Sequence, residues 1–276
     1  MNEIKYDAIQ RNSAGIPLLD LHVHLKGGLT LEQALAISRR DGIQFGIAVN
    51  CGKGFPVHDD AAALAFCAGL KGQPVFAGMQ AEGREWTSMF SAQAAAEFDY
   101  IFTDAMTWTD DQGRRMRLWI AEEVGAIDDA EAFMETLVAR TVEILETEPI
   151  DIFVNPTFLP AVIQKDYDRL WTDERMEKVI AASAQNNLAI ELNDLYRLPG
   201  RKFIEKAKAA GCKFTFGSNN TSAENLGRCA YGLRMVEECT LAASDFFIPG
   251  TSKTKAALRN ADESKRLLSK YRGEGE

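Results

Sequence analysis

Histidine is scarce in this chain, with three residues in 276. Cysteine is nearly as scarce: Cys51, Cys67, Cys212, Cys229 and Cys239. Their number is odd and no pair has Cys-x-x-Cys spacing, which excludes the usual cysteine zinc and dithiol motifs. Free thiols belong to a reducing compartment, so a cytoplasmic chain is expected. The first residues also lack the apolar core of a signal peptide. No apolar run approaches the ~20 residues of a membrane helix. A cationic surplus is missing too: 31 Lys and Arg stand against 40 Asp and Glu, for a net charge of −9. That balance argues against a general nucleic-acid or anionic-membrane surface, while leaving room for one small phosphate site. Repeats and low-complexity segments are absent. No strand is followed by Gly-x-Gly-x-x-Gly, the fingerprint of a dinucleotide site.

What the chain has instead is regular alternation. Short apolar segments at Leu18–His22, Phe45–Val49, Pro74–Met79, Tyr100–Phe102, Asp151–Val154, Leu188–Leu192 and Lys213–Phe216 read as strands. Helical patterns lie between them at Leu31–Arg40, Ala61–Leu70, Ser91–Glu97, Ala130–Glu146, Asp173–Gln185, Arg201–Ala210 and Ala223–Cys239. Thr30 and Asp173 read as N-caps, and Gly42 and Gly211 as C-terminal stops. Seven βα units in succession predict a TIM-like (β/α) barrel of seven or eight mainly parallel strands, with a doubly wound open sheet as the alternative. The chain reads as one barrel domain over 1–276. Met106–Asp129 interrupts the alternation as an insertion, and 253–276 is a charged tail.

The most informative stretch is Asp20-Leu21-His22-Val23-His24, at the end of the first strand. Alternate strand residues share a face, so Asp20, His22 and His24 are expected to point the same way. Two imidazoles and a carboxylate at a strand end suit a divalent transition metal; two polar core histidines are the alternative reading. Barrel active sites lie at the C-terminal ends of the strands. There this chain offers His22, His24 and Lys26, then Asn50 and Cys51, then Gln80, Glu82 and Arg84. Thr103 and Asp104 follow, then Asn155, then Glu191 and Asn193, then Ser218, Asn219 and Asn220. Seven polar strand ends predict one ligand or metal pocket. Cys51 is a candidate ligand or nucleophile, or a small buried residue. Lys26, followed by Gly27-Gly28, is a candidate anion contact, because glycine lets backbone N–H groups approach an oxyanion. Arg114, Arg115 and Arg117 in the insertion read as an anion cap or as a solvated basic loop.

Asp-x-His-x-His at this place resembles the opening motif of the PHP (polymerase and histidinol phosphatase) superfamily and, more distantly, of the amidohydrolases. The resemblance spans about Leu18 to Gly227. Gly78-Met79-Gln80-Ala81-Glu82 resembles the family's Gly-x-Glu ligand strand. Phe98 to Ile101 resembles the strand before a ligand histidine, and Asp151 to Pro156 resembles a stretch ending in His-Pro. Leu188 to Asn193 resembles the Glu-x-Asn strand, and Phe216 to Asn220 resembles Gly-Ser-Asp-x-His. The resemblance implies a seven-stranded distorted barrel holding up to three metals, in proteins that are mostly phosphoesterases. The chain departs from the pattern at several ligand positions. Val49-Asn50-Cys51 replaces Thr-Asp-His, Asp104 stands near a histidine position, Asn155 and Asn219 replace His and Asp, and Thr221 lies near the last histidine.

These readings imply a metal-dependent hydrolase of a small anionic substrate, of which a phosphoester is one candidate. His22, His24, Glu82 and Asp104 would hold one zinc or manganese ion, with Glu82, Asp104 and Lys26 taking part in catalysis. Arg84, Asn155, Asn219, Glu191 and Cys51 would bind substrate. Two alternatives stay open: a binding or scaffold protein whose metals are lost, and a metal-independent enzyme using Glu82, Asp104 or Glu191 as acid or base.

Overall fold

Seven strands form the centre of the molecule: β1 (Pro17–Val23), β2 (Gln44–Cys51), β3 (Phe76–Ala81), β4 (Tyr100–Thr103), β5 (Ile152–Phe153), β6 (Ala189–Asn193) and β7 (Lys213–Gly217). Each pairs in parallel with the next, and β7 pairs with β1 through Phe216 and Asp20. The sheet is therefore a closed barrel, and the open-sheet alternative is excluded. This computed structural model describes residues 4–109 and 113–250, so the charged tail lies outside the described residues.

The helices α1 (Leu31–Asp41), α2 (Asp60–Leu70), α3 (Ala92–Ala96), α4 (Ala130–Thr147), α5 (Asp173–Gln185), α6 (Arg201–Ala209) and α7 (Ala230–Glu238) cover the outside. Thr30 caps α1 with a full capping box, and Gly42 closes it in the left-handed conformation at φ 66°. Asp173 is not the cap of α5. Thr172 has the extended backbone a cap needs, and its hydroxyl accepts from the Arg175 N–H. Asp173 instead begins the helix and pairs with Lys202 on α6 at 2.8 Å. The last helical pattern is also shorter than its periodicity. A 3-10 turn at Ala223–Asn225 ends before Gly227, whose φ of 69° breaks the helix.

Two apolar layers follow from the alternation of the strands. Leu19, Leu21, Ala48, Phe76, Tyr100, Phe102, Ile152, Val154 and Ala189 fill the barrel. Phe247 with Tyr6 and Ile9 packs against this inner group. Val23, Phe45, Ile47, Met79, Ile101 and Ile190 belong to the larger layer beneath the helices. The insertion folds as an antiparallel ribbon, Thr107–Thr109 with Arg115–Arg117, followed by a short helix at Ala121–Val124. Leu118 N–H ties it to the Met106 carbonyl at 2.8 Å.

Tyr100 sets the width of the barrel. Its hydroxyl donates across the interior to the Leu21 carbonyl at 2.8 Å. Gly46 on β2 and Gly78 on β3 make room for it, since a Cβ at either position would run into the Tyr100 hydroxyl. Gly78→Ala is expected to destabilise the fold by about 1–3 kcal/mol through overpacking. Urea unfolding of the wild type and the variant measures this, and an unchanged midpoint would refute the tight fit.

Candidate functional site

The first strand brings the histidines into the barrel mouth by an irregularity. The pairing of β1 with β2 shifts register between Asp20 and Val23. Leu19 and Leu21 both lie in the inner layer, yet the His22 ring packs on Phe102 in the same interior, with centroids 4.8 Å apart. Strict alternation therefore fails, and Asp20 does not share a face with His22. Its Oδ1 accepts from the backbone N–H groups of His22 and Ser218, at 3.1 and 2.9 Å. Asp20 thus stitches β1 to β7. Burial pushes its pKa up to about 6, against the pull of Ser218 and His22.

His22 and His24 are both buried, with rings 5.2 Å apart. His22 Nδ1 donates to Glu191 Oε1 at 2.6 Å, and His24 Nδ1 to the Ala48 carbonyl at 3.1 Å. Both acceptors fix the Nδ1–H tautomer. Both Nε2 atoms are left buried without a hydrogen-bond partner. Burial holds the His24 pKa well below its ordinary value, with His22 and Lys26 adding to the effect. The Gln80 side chain approaches the His24 ring, and its Oε1 also lacks a partner.

The carboxylates of the mouth are occupied by amides. Glu82 Oε1 accepts from Asn50 Nδ2 at 2.6 Å and from Gln80 Nε2 at 3.0 Å. Asp104 Oδ2 accepts from Asn155 Nδ2 at 3.0 Å, and its Oδ1 from the Met106 N–H at 2.9 Å. Burial, followed by the charge of Asp104, pushes Glu82 up to about 7. Asp104 is raised by burial as well, while Met106 and Asn155 oppose the shift. Glu191 is fully buried and also accepts from the Asn155 N–H at 2.7 Å and Asn193 Nδ2 at 3.0 Å. Asn219 Nδ2 donates to Asn155 Oδ1 at 3.2 Å. Asn155 and Asn219 sit at φ 48° and 46°, in a left-handed region that asparagine tolerates better than most residues.

His22, His24, Glu82, Asp104, Asn155, Glu191 and Asn219 thus form a linked polar cluster at the strand ends. Lys26 stands at its edge in a turn with Gly27 and Gly28, both at positive φ. The lysine is solvent-accessible; partial desolvation lowers its pKa and Glu82 pulls it back up. One expected member is elsewhere. Cys51 is fully buried in the layer beneath the helices, where its thiol lies against the Val49 carbonyl and burial pushes its pKa up. Alternation sends its neighbour Asn50 to Glu82 instead. Arg84 donates to Glu148 at 2.6 Å and to Thr103 at 2.9 Å, and its charge reaches Glu82 and Asp104. Trp86 Nε1 shares that buried Glu148 carboxylate. Of the insertion arginines, Arg117 pairs with Glu123, and Arg115 lies over the Phe55 ring.

The roles of Gln80, Asn50 and Asn193 follow from strand-end spacing. The Ala48 carbonyl that orients His24 has no sequence signal, because any residue supplies one. Among the described residues, no group of three or more His, Cys, Asp and Glu side chains is arranged to hold a metal ion.

No protein-family model and no curated protein matches the chain. Among solved structures it is similar to the histidinol phosphate phosphatase of Lactococcus lactis, crystallised with zinc, L-histidinol and phosphate. That likeness has 12% identity and a TM-score of 0.55, and covers 83% of this chain and 98% of that one. A cryo-EM structure of archaeal ribonuclease P with mature tRNA also matches at 12% identity and a TM-score of 0.42, over 92% of this chain and 90% of that one. The first likeness establishes the fold as a PHP-like barrel.

The raised pKa of Glu82 has a signed consequence. Between about 4.5 and about 7 the unfolded chain has released a proton that the folded chain still holds at Glu82. Glu82 therefore weakens the fold as pH rises through that window, and the loss is constant above it. Glu82→Gln is expected to gain stability relative to wild type across the same interval, by at most about 1.4 kcal/mol per pH unit. Urea midpoints of metal-free protein at pH 5, 6, 7 and 8 test this; a pH-independent difference between the two proteins contradicts it.

Proposed function

We propose that the chain is a metal-dependent hydrolase of a small anionic substrate, with one divalent ion held at His22 and His24. The observation that carries this reading is the imidazole pair: two buried Nε2 atoms without partners, on rings locked from behind by Glu191 and Ala48. Metal-binding histidines are oriented in this way, with the other ring nitrogen donating to a carboxylate or carbonyl. The histidine pair would hold one ion, completed by water or substrate, and not the three of the PHP pattern, because Asn155 and Asn219 are neutral and Cys51 faces the outer layer. Glu82 and Asp104, hydrogen-bonded by amides and raised in pKa by burial, are the carboxylates that would complete the site. The phosphatase neighbour's zinc and phosphate agree with this chemistry.

A divalent ion bound there supplies a Lewis acid and lowers the pKa of water toward 7. The chain's own groups do the rest. Glu82, at about 7, exchanges a proton near neutral pH and is suited to general acid or base work. Lys26 steadies the anion from the edge of the mouth. Asn155 and Asn219, fixed by their left-handed backbone, orient the polar head of the substrate.

Metal content after dialysis against zinc or manganese, with hydrolysis of a phosphoester panel, tests the reading. Wild type is expected to retain one ion per chain and to hydrolyse only when loaded; His22→Ala/His24→Ala is expected to lose both. Glu191→Gln is expected to lose about 10–100-fold in metal affinity or activity through the misoriented His22 ring. Equal activity with and without metal in wild type and double variant would sink the proposal. Activity that survives chelation and the double variant but disappears in Glu82→Gln assigns the site to metal-free acid–base chemistry.

A further inference from the structure

Exposed apolar side chains are not spread evenly over the molecule. Among the described residues, six large hydrophobic side chains are exposed: Ile4, Leu25, Leu64, Trp119, Val162 and Leu195. Four of them lie on the C-terminal rim of the barrel. Leu25 follows β1, Trp119 belongs to the insertion after β4, Val162 follows β5 and Leu195 follows β6. Trp119 is 44% exposed and Val162 48%. Between these two lies a groove of about 330 Å³, lined by Trp119, Phe158, Pro160, Val162 and Tyr196 among others. That volume is at the lower end of small-molecule sites.

The groove lies beside the polar mouth. Tyr196 joins the two: its ring packs edge-on against Phe158 at 4.9 Å, and its N–H donates to Asn193 Oδ1 at 2.8 Å. Its hydroxyl is held up in pKa by burial and then by the charges of Asp104 and Glu191. Phe158 is reached from Asn155 by one turn, its N–H donating to the Asn155 carbonyl at 3.3 Å. The groove is also preformed. Trp171 Nε1 holds the Thr157 carbonyl at 2.9 Å, Thr157 and Tyr167 share a hydroxyl contact at 2.6 Å, and the Leu118 N–H anchors the insertion to Met106. Apolar surface held rigidly open beside a polar centre marks a binding surface.

We infer that the substrate is amphipathic: an anionic ester head bound in the barrel mouth, carrying an alkyl or aryl group that lies in the groove between Trp119 and Val162. The inference rests on the hydrolase reading for the head group, and on the groove alone for the apolar group. A free inorganic anion or a sugar phosphate would leave the groove wet.

Binding and turnover separate the two claims. The probes are n-alkyl phosphonates of two to eight carbons, which have the head and no scissile ester, titrated by calorimetry and by Trp fluorescence into zinc-loaded wild type. Affinity is expected to rise by about fourfold per methylene until the groove is filled, the factor given by ~0.8 kcal/mol per buried CH₂. Trp119→Ala and Val162→Asp, both at exposed positions on different loops, are expected to flatten that dependence while keeping the urea midpoint and the affinity for methylphosphonate. An affinity independent of chain length overturns the inference, as does a length dependence untouched by both variants. A Trp119 signal that follows protein concentration instead of ligand also overturns it and assigns the groove to a second copy of the chain. A steep length dependence with no hydrolysis of the matching alkyl phosphate esters upholds the groove and removes the hydrolase.

Discussion

The Glu191 carboxylate is the constraint on which the rest of the site depends. It is fully buried and accepts from three donors: His22 Nδ1, the Asn155 N–H and Asn193 Nδ2. A buried charge is tolerated when such donors replace the water it loses. In doing so Glu191 joins β1, the loop after β5 and β6 at one point. Glycine at position 217 of β7 leaves room for it, since a Cβ there would strike the carboxylate. Without Glu191 the His22 ring would be free to turn, and Asn155 would lose the bond that helps hold its backbone at φ 48°. A buried donor left without its acceptor costs about 1–3 kcal/mol. The geometry of the imidazole pair is thus decided on the sixth strand, 169 residues from His22.

The mouth holds two further carboxylates. Glu82 and Asp104 are bonded by neutral amides, from Asn50, Gln80 and Asn155. Amides satisfy the oxygen lone pairs but bring no positive charge to offset the burial of a carboxylate. The result is a pair of acids pushed upward together. Two states relieve the strain: a proton shared within the pair, or a cation beside it. Burial and the neighbouring Asp104 charge bring Glu82 to about 7, and the Asn50 hydrogen bond opposes that rise only in part.

Much of this was legible in the sequence. Apolar segments located all seven strands to within about two residues, because strands buried on both faces read as continuous apolar runs. The list of strand-end polar residues contained His22, His24, Glu82, Asp104, Asn155, Glu191 and Asn219, which the fold gathers in one cluster. The misreadings have local causes. Asp20 was assigned to the histidine face by strict alternation, and the register shift after it cannot be seen in residue types. Cys51 was given to the pocket although its neighbour Asn50 occupies the inward phase of β2. The buried partner of Arg84, Glu148, lies 64 residues away and has no signal in local spacing. The carbonyl of Ala48 and the ring of Phe102, which hold the two histidines, depend on backbone placement and packing that only the closed barrel supplies.

The insertion after β4 gives the mouth its asymmetry. A βα unit normally returns to its helix within a few residues, which leaves the rim to short polar loops. Here the chain builds the ribbon Thr107–Thr109 with Arg115–Arg117 before α4 begins. The ribbon holds Trp119 beside the loop carrying Phe158 and Val162. Arg117 paired with Glu123 and Leu118 bonded to Met106 fix the ribbon to its own base, so the indole is positioned by more than its own contacts. An exposed indole costs stability in water unless something covers it, and anchoring it beside a buried charged centre is consistent with selection for a ligand that has both characters. On the proposed reading, the polar cluster would seat the head of such a ligand and the insertion would select what is attached to it. Chemistry and substrate choice would then reside on different segments, the first on strands that closure holds rigid and the second on a loop that can vary without disturbing the barrel.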